Sequence, residues 1–215
     1  MDPLFHERLY RSDDVMTRLR HLPVTVCGAG ALGANLTETL LRQGFYRLTV
    51  IDRDRVEERN LSTQPYFRGD IGAQKAKILA NSLYRALGVP VVGKAEELTP
   101  TNAAKLLDGS GLVVDTFDNS VARRTVTDTC AEKHLPCLHV GLADRYGEIV
   151  WNERYRVPSD AHDDLCDYPL ARNLVTLTVS VAAEVIVRFA ATGRQEDYAI
   201  TWEDFVIRPH PATAG

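Results

Sequence analysis

Short apolar, β-branched runs alternate along the chain with stretches whose apolar positions recur every three or four residues. Val24-Thr25-Val26-Cys27, Leu48-Thr49-Val50-Ile51, Leu112-Val113-Val114-Asp115 and Cys137-Leu138-His139-Val140 are of the first kind and predict buried strands. A shorter strand is expected near Val91 and Val92. Of the second kind, Leu32, Leu36, Leu40 and Leu41 fall on one face of a helix that Gly44 closes. Another helix is expected over about 72–87, stopping at Gly88, and a further one over 120–133. Thr99-Pro100 reads as a helix start, Thr as cap and Pro in the first turn. Strands alternating with helices imply right-handed βαβ units, hence an α/β, Rossmann-like, doubly wound and mainly parallel sheet covered on both faces.

Beyond Gly147 the pattern changes. Glu148-Ile149-Val150-Trp151 and Arg154-Tyr155-Arg156-Val157 read as antiparallel strands toward the C-terminus. An irregular acidic stretch over 158–168 precedes a very apolar helix over about 173–191, ending near Gly193, whose composition calls for burial. Before Pro23, Arg8, Arg11, Arg18 and Arg20 interleave with Leu9, Val15, Met16 and Leu19. Residues 1–22 therefore read as an amphipathic arm packed on the main body or on a partner subunit, and 23–215 as a single domain.

Composition narrows the class. Hydrophobic residues make up 45% and charged residues 25% of the 215, an ordinary globular balance. Lys+Arg at 25 against Asp+Glu at 29 gives a formal charge of −4, which argues against general nucleic-acid binding. No run approaches the ~20 apolar residues of a membrane helix without Gly, Pro or charge. Met1-Asp2-Pro3-Leu4 lacks a signal-peptide pattern, so a cytoplasmic location and reduced thiols are expected, with no membrane partner. Cys27, Cys130, Cys137 and Cys166 include no CxxC pair, and no structural zinc is expected. The six histidines show no metal-ligand spacing; His139, at a strand end, reads as a core histidine beside the expected site.

Candidate chemistry begins at Gly28-x-Gly30-x-x-Gly33, set between a strand and a helix. The first glycine permits a tight turn, the second lets backbone amides approach phosphates, and the third lets the helix pack closely on the sheet. Asp52 ends the second strand ~20 residues on, where a carboxylate can accept from ribose hydroxyls. This loop predicts a nucleotide without naming a reaction, and an NAD-dependent oxidoreductase stays open on it alone. The next residues are more specific. Asp52-Arg53-Asp54-Arg55-Val56-Glu57-Glu58-Arg59-Asn60-Leu61-Ser62-Thr63-Gln64 leads to Gly69-Asp70-Ile71-Gly72-Ala73-Gln74-Lys75, and later come Asp115-Thr116-Phe117-Asp118-Asn119 and Ala122-Arg123. Hydride transfer has no need of this set, whereas an enzyme splitting ATP between the α- and β-phosphates must orient the triphosphate, hold Mg²⁺ and neutralise the leaving pyrophosphate.

In order and spacing these three segments resemble the ThiF/MoeB superfamily, the activating enzymes of ubiquitin-like and sulfur-carrier proteins. The resemblance runs from about Val24 to Arg123 and more weakly to Arg188. It implies adenylation, with ATP and Mg²⁺, of the C-terminal carboxylate of a small ubiquitin-like or sulfur-carrier protein, within a compact homodimer. It assigns Asp52 to the ribose, Asn60 and Gln64 to the phosphate pocket together with Lys75, and Asp118 to Mg²⁺ beside Asn119. The alternatives are a strand-end cap for Asp52, loop capping for Asn60 and Gln64, and capping of the following helix for Asp118 with Asn119.

Two departures matter. The family pattern carries Arg where this chain has Thr63, for which Arg59 is the expected substitute. Its N-terminal Arg, often lent by the other subunit, is matched by Arg11, with Arg8 in reserve. Cys166, placed like the thioester- or persulfide-forming cysteine of the family's crossover loop, is the candidate nucleophile, although Asp163, Asp164 and Asp167 would raise a thiol pKa. The Thr63 departure also supports a second reading, a catalytically silent nucleotide-binding partner subunit. A modifier, a sulfur carrier, a peptide and a tRNA-linked carboxylate all remain open as acyl substrate.

Overall fold

Each apolar run sends alternate side chains to opposite sides, and that alternation organises the computed structural model, which describes residues 2–158 and 170–210. Strands β1 (Pro23–Cys27), β2 (Arg47–Ile51), β3 (Val92–Lys94), β4 (Leu112–Asp115) and β5 (Cys137–Ala143) are parallel; β6 (Tyr146–Trp151), β7 (Tyr198–Thr201) and β8 (Val206–Pro209) extend the sheet antiparallel. The order is β3-β2-β1-β4-β5-β6-β7-β8. From β1 the chain winds outward to β3 and then crosses back to β4, so the direction of winding reverses between β1 and β4. The carboxyl ends of those two strands flank the crevice where open α/β sheets bind ligands. The α/β, doubly wound, mainly parallel architecture read from the sequence is therefore the observed one.

Val24 and Val26, Leu48 and Val50, Leu112 and Val114, and Leu138 and Val140 join one core cluster. With them pack apolar residues of α2 (Asp13–His21), α3 (Ala31–Gln43), α4 (Lys75–Leu87) and α7 (Arg172–Thr192). Cys27, Ile51, Val113 and Cys137 point the other way, onto α5 (Ala103–Leu106) and α6 (Ser120–Glu132). Ahead of β1, α1 (Phe5–Tyr10) and α2 bring Leu4, Met16 and Leu19 into the larger cluster. Ser12 caps α2 by accepting from the Val15 amide at 3.3 Å. By length and apolarity α7 could cross a membrane, yet it carries Glu184 and Arg188 and packs against α2, α3, β5 and β6.

Three expected elements differ. The helix expected from residue 72 starts at Lys75, because Gly72 takes a φ of +86° and its amide donates to Val56, tying 72–74 to the preceding loop. Asn102 Oδ1 accepts from the Thr99 amide at 2.8 Å, so Thr99-Pro100 forms a turn and the helix begins at Ala103. Arg154–Val157 is not a strand. The amides of Arg154 and Tyr155 both donate to the Trp151 carbonyl, turning the chain away, and β7 takes the free edge of β6.

Candidate nucleotide-binding site

At the end of β1 the glycine loop is fixed by contacts that leave no space for side chains at two of its three glycines. Gly28 has a φ of +104°, and a Cβ there would lie 2.7 Å from Thr116 Oγ1. At Gly33 a Cβ would fall well inside contact with the Gly28 carbonyl and 2.5 Å from Thr116 Oγ1. Thr116, just past β4, thus clamps both glycines while donating to the Cys27 carbonyl at 2.8 Å. Gly30 differs: a Cβ would meet nothing within 4 Å. It is the N-cap of α3 and offers no side-chain acceptor to the first-turn amides, which are left for a ligand.

Asp52 locks the loop from β2. Its two carboxylate oxygens accept from the Ala29 amide at 2.6 Å and from the Asp54 amide at 2.7 Å. Burial pushes its pKa up; the two amides and the Lys75 ammonium oppose that shift without cancelling it. Tyr66 closes the other side by donating to the Ala29 carbonyl at 2.8 Å. No local spacing marked Tyr66 or Thr116 beforehand, since both act across the chain. Lys75, the first residue of α4, is buried, with its amine 3.6 Å from Asp54 and its amide bonded to the Asp54 carbonyl. Gly28, Gly30, Gly33, Asp52 and Lys75 are thereby drawn to the carboxyl ends of β1 and β2.

The remaining candidates are placed as follows. Asn60 Oδ1 accepts from the Glu57 amide at 2.9 Å, capping a short 3₁₀ turn over Glu58–Ser62. Gln64 is buried, and its Oε1 has no hydrogen-bond partner among the described residues. Thr63 is buried at the end of that turn, and Arg59 pairs with Glu57 at 2.6 Å. After β4, Asn119 caps α6 by accepting from the Ala122 amide at 2.8 Å. Asp118 is exposed beside it, with no hydrogen bond or ion pair among the described residues. Its free carboxylate at the sheet's carboxyl edge suits Mg²⁺, a hard ion usually held by one or two carboxylates together with substrate phosphates and water. Among the described residues no group of three His, Cys, Asp or Glu forms a fuller cage.

Arg11 is not brought to this crevice within its own chain: its guanidinium pairs with Glu7 at 2.9 Å and with Glu184 of α7 at 3.1 Å. Cys166 lies outside the described residues. Cys27, Cys130 and Cys137 are buried together, and burial pushes the Cys27 and Cys137 thiols well up.

Beneath the Thr116–Asn119 loop lies a buried polar network that sequence reading left without a role. His139 bonds Asp115 at 2.8 Å and Asn152 at 2.7 Å, and its ring stacks on Tyr155 at 3.8 Å. Arg123 donates to the Tyr155 hydroxyl at 2.8 Å and lies 3.7 Å from Asp115. Burial alone would push the Asp115 pKa up, but the Arg123 charge and the His139 bond outweigh it and hold the carboxyl below its ordinary value. The Phe117 amide also donates to Asp115, at 3.1 Å, so the network reaches the chain that presents Asp118.

Comparison with known proteins gives a consistent result. The model of the ThiF family matches residues 6–186. A sulfur carrier protein adenylyltransferase of Thermus thermophilus is 39% identical over 136 residues, covering 62% of this chain and 50% of that protein. The sulfur carrier protein ThiS adenylyltransferase of Bacillus subtilis is 31% identical over 134 residues, covering 60% of this chain and 40% of that one. The chain thus spans half or less of the length of these two relatives. The crystal structure of E. coli MccB with ATP shares the fold at a TM-score of 0.80 and 16% identity, covering 96% of this chain and 69% of that one.

Proposed function

The chain belongs to the ThiF family, and on that premise we propose that it is an ATP- and Mg²⁺-dependent adenylyltransferase. In this reading it activates the C-terminal carboxylate of a ubiquitin-like or sulfur-carrier protein as an acyl-adenylate. The observation that carries the reading is the Asp52 carboxylate, buried against the glycine-loop amide of Ala29 at 2.6 Å, with Lys75 close behind it. That carboxylate fixes the glycine loop from β2, and the first-turn amides of α3 beside it have no side-chain cap, which leaves them for an anionic ligand.

The residues divide the work by position. The glycine loop and the first amides of α3 receive phosphate, and Asp52 accepts from the ribose. Lys75 leaves Asp54 to meet phosphate charge. The attacking carboxylate is already a nucleophile, so no general base is required, and catalysis is positioning and charge neutralisation. Asp118 would hold Mg²⁺, which supplies charge neutralisation at the phosphates when bound. Where a thiol step follows, Cys166 is the chain's candidate, since the three described cysteines are buried. The active form we propose is a homodimer, to which Arg11 contributes across the interface.

Exchange of ATP with labelled pyrophosphate tests this, with candidate ubiquitin-like and sulfur-carrier proteins added singly. Exchange should depend on one candidate and fall by about two orders of magnitude or more in Asp118→Ala. ATP binding without exchange for any candidate would favour a silent nucleotide-binding subunit. Binding of NAD in place of ATP would overturn the assignment.

A further inference from the structure

A triphosphate bound with one metal ion keeps net negative charge, which concentrates on the pyrophosphate as it leaves and must be met by fixed cations or amide dipoles. The basic side chains on the segment after β2 are mostly committed. Beyond Lys75, which turns from Asp54 to phosphate in the reading above, Arg53 reaches Glu97 at 2.5 Å, Arg59 pairs with Glu57 at 2.6 Å, and Arg55 donates to the Gly72 carbonyl at 2.6 Å. Arg172, the first residue of α7, is not. Its guanidinium donates to the neutral Ser62 carbonyl at 3.2 Å and has no carboxylate partner among the described residues.

The position of that carbonyl matters. Ser62 adjoins Thr63, whose own carbonyl accepts from Asn35 Nδ2 at 2.8 Å, and the same nitrogen donates to the Ala31 carbonyl at 2.7 Å. Ala31 is the first residue of α3, immediately after the glycine loop. Arg172 is therefore linked through the Ser62–Thr63 segment and Asn35 to the helix end that receives phosphate. Arg172 also lines a 640 Å³ cavity with Arg85, Gln64 and Arg42, the last paired with Glu38 at 2.9 Å. Gln64 is nine-tenths buried, and its carboxamide makes no hydrogen bond among the described residues. Helix electrostatics offer no reason for an arginine at this place. It occupies the positive end of a 21-residue helix whose N-cap, Ala171, gives no side-chain cap and whose first turn has no acid.

We propose that Arg172 is a phosphate-binding residue of this site. Its guanidinium, turning about the Ser62 carbonyl, contacts the outer phosphates of ATP and the departing pyrophosphate, and Gln64 donates beside it. This rests on the adenylyltransferase reading above.

The test is calorimetric titration of the wild-type chain, Arg172→Ala, and Arg172→Ala combined with Thr63→Arg, each with Mg²⁺ and either ATP or AMP. Arg172 is exposed, so its replacement leaves the core intact. Losing a charged hydrogen bond to phosphate should weaken ATP binding about tenfold, leave AMP unchanged, and be partly recovered when Thr63→Arg returns a guanidinium to the same loop. Unchanged ATP affinity in Arg172→Ala would overturn the proposal while sparing the adenylyltransferase reading. A parallel loss of ATP and AMP affinity would overturn it in favour of a structural role. A wild-type chain that binds neither nucleotide would overturn the adenylyltransferase reading itself.

Discussion

Gly30 and Gly33 stand in one loop and face opposite surroundings, so their alanine variants separate folding from binding. A methyl at Gly33 meets the Gly28 carbonyl and Thr116 Oγ1, and backbone must move to admit it. Gly33→Ala should destabilise by about 1–3 kcal/mol or more, read from urea unfolding. At Gly30 the φ is −81° and nothing lies within 4 Å. Gly30→Ala should hold stability within about 0.5 kcal/mol yet weaken ATP binding, because the methyl occupies the space in front of the α3 amides. Equal ATP affinity in a folded Gly30→Ala protein would put the phosphates elsewhere. At this scale spacing around a strand end made the three glycines and Asp52 legible, and only the family resemblance pointed to Lys75. Tyr66, Thr116 and Arg172 were illegible because each acts on a backbone group far along the chain. For Asn60 and Asn119 a side chain that suits a ligand and one that caps a turn are the same amino acid, and the structure shows the caps.

Where two elements meet, β4 and β5 bury Asp115 and His139 against Arg123 of α6, and this junction is an acid-sensitive point of the fold. The Asp115 pKa lies below its ordinary value of 3.8. The unfolded chain therefore takes up the proton first as pH falls, and the junction's contribution, fully present above 3.8, is lost as pH drops through the lower folded value. Asp115→Asn should cost about 3–5 kcal/mol at pH 7, because the Arg123 charge stays buried without its counter-ion, and should flatten the loss of stability below pH 4. Urea unfolding of both proteins across that range checks both parts; an unchanged acid slope would mean that other carboxylates set it. Strands were legible where burial on both faces made the run continuously apolar, as in β1, β2, β4 and β5. The strand patterns near the C-terminus misled because pairing decides them. Arg154–Val157 alternates well enough to be a strand but has no open edge to join, whereas Tyr198–Thr201 and Val206–Pro209 are strands because β6 offers one.

Across the whole molecule, the residues assigned to nucleotide from the glycine loop to Asp118 sit on the parallel half, which Arg172 of α7 reaches through the Ser62 carbonyl. The outer hairpin ends the sheet on the antiparallel side: Phe205 and Ile207 are largely exposed, and β8 pairs only with β7. Ile200 of β7 is fully buried, so β7 contributes to the core and β8 chiefly satisfies its edge. Removing residues 203–215 should therefore leave the fold standing, at a cost of about 1–2 kcal/mol from lost edge pairing and small buried area. For a chain of this size that is a fall of roughly 2–8 °C in Tm. ATP affinity should stay within about twofold, since the glycine loop, Asp52, Lys75 and Asp118 all precede β5 and none contacts the hairpin. A thermal melt and an ATP titration on the shortened chain decide the matter. A folded but ATP-deaf product would make the hairpin part of the nucleotide site. A fall in Tm with intact binding would leave the antiparallel edge free for other work, and the face beyond β6 would become the place to look for the body of the proposed protein substrate.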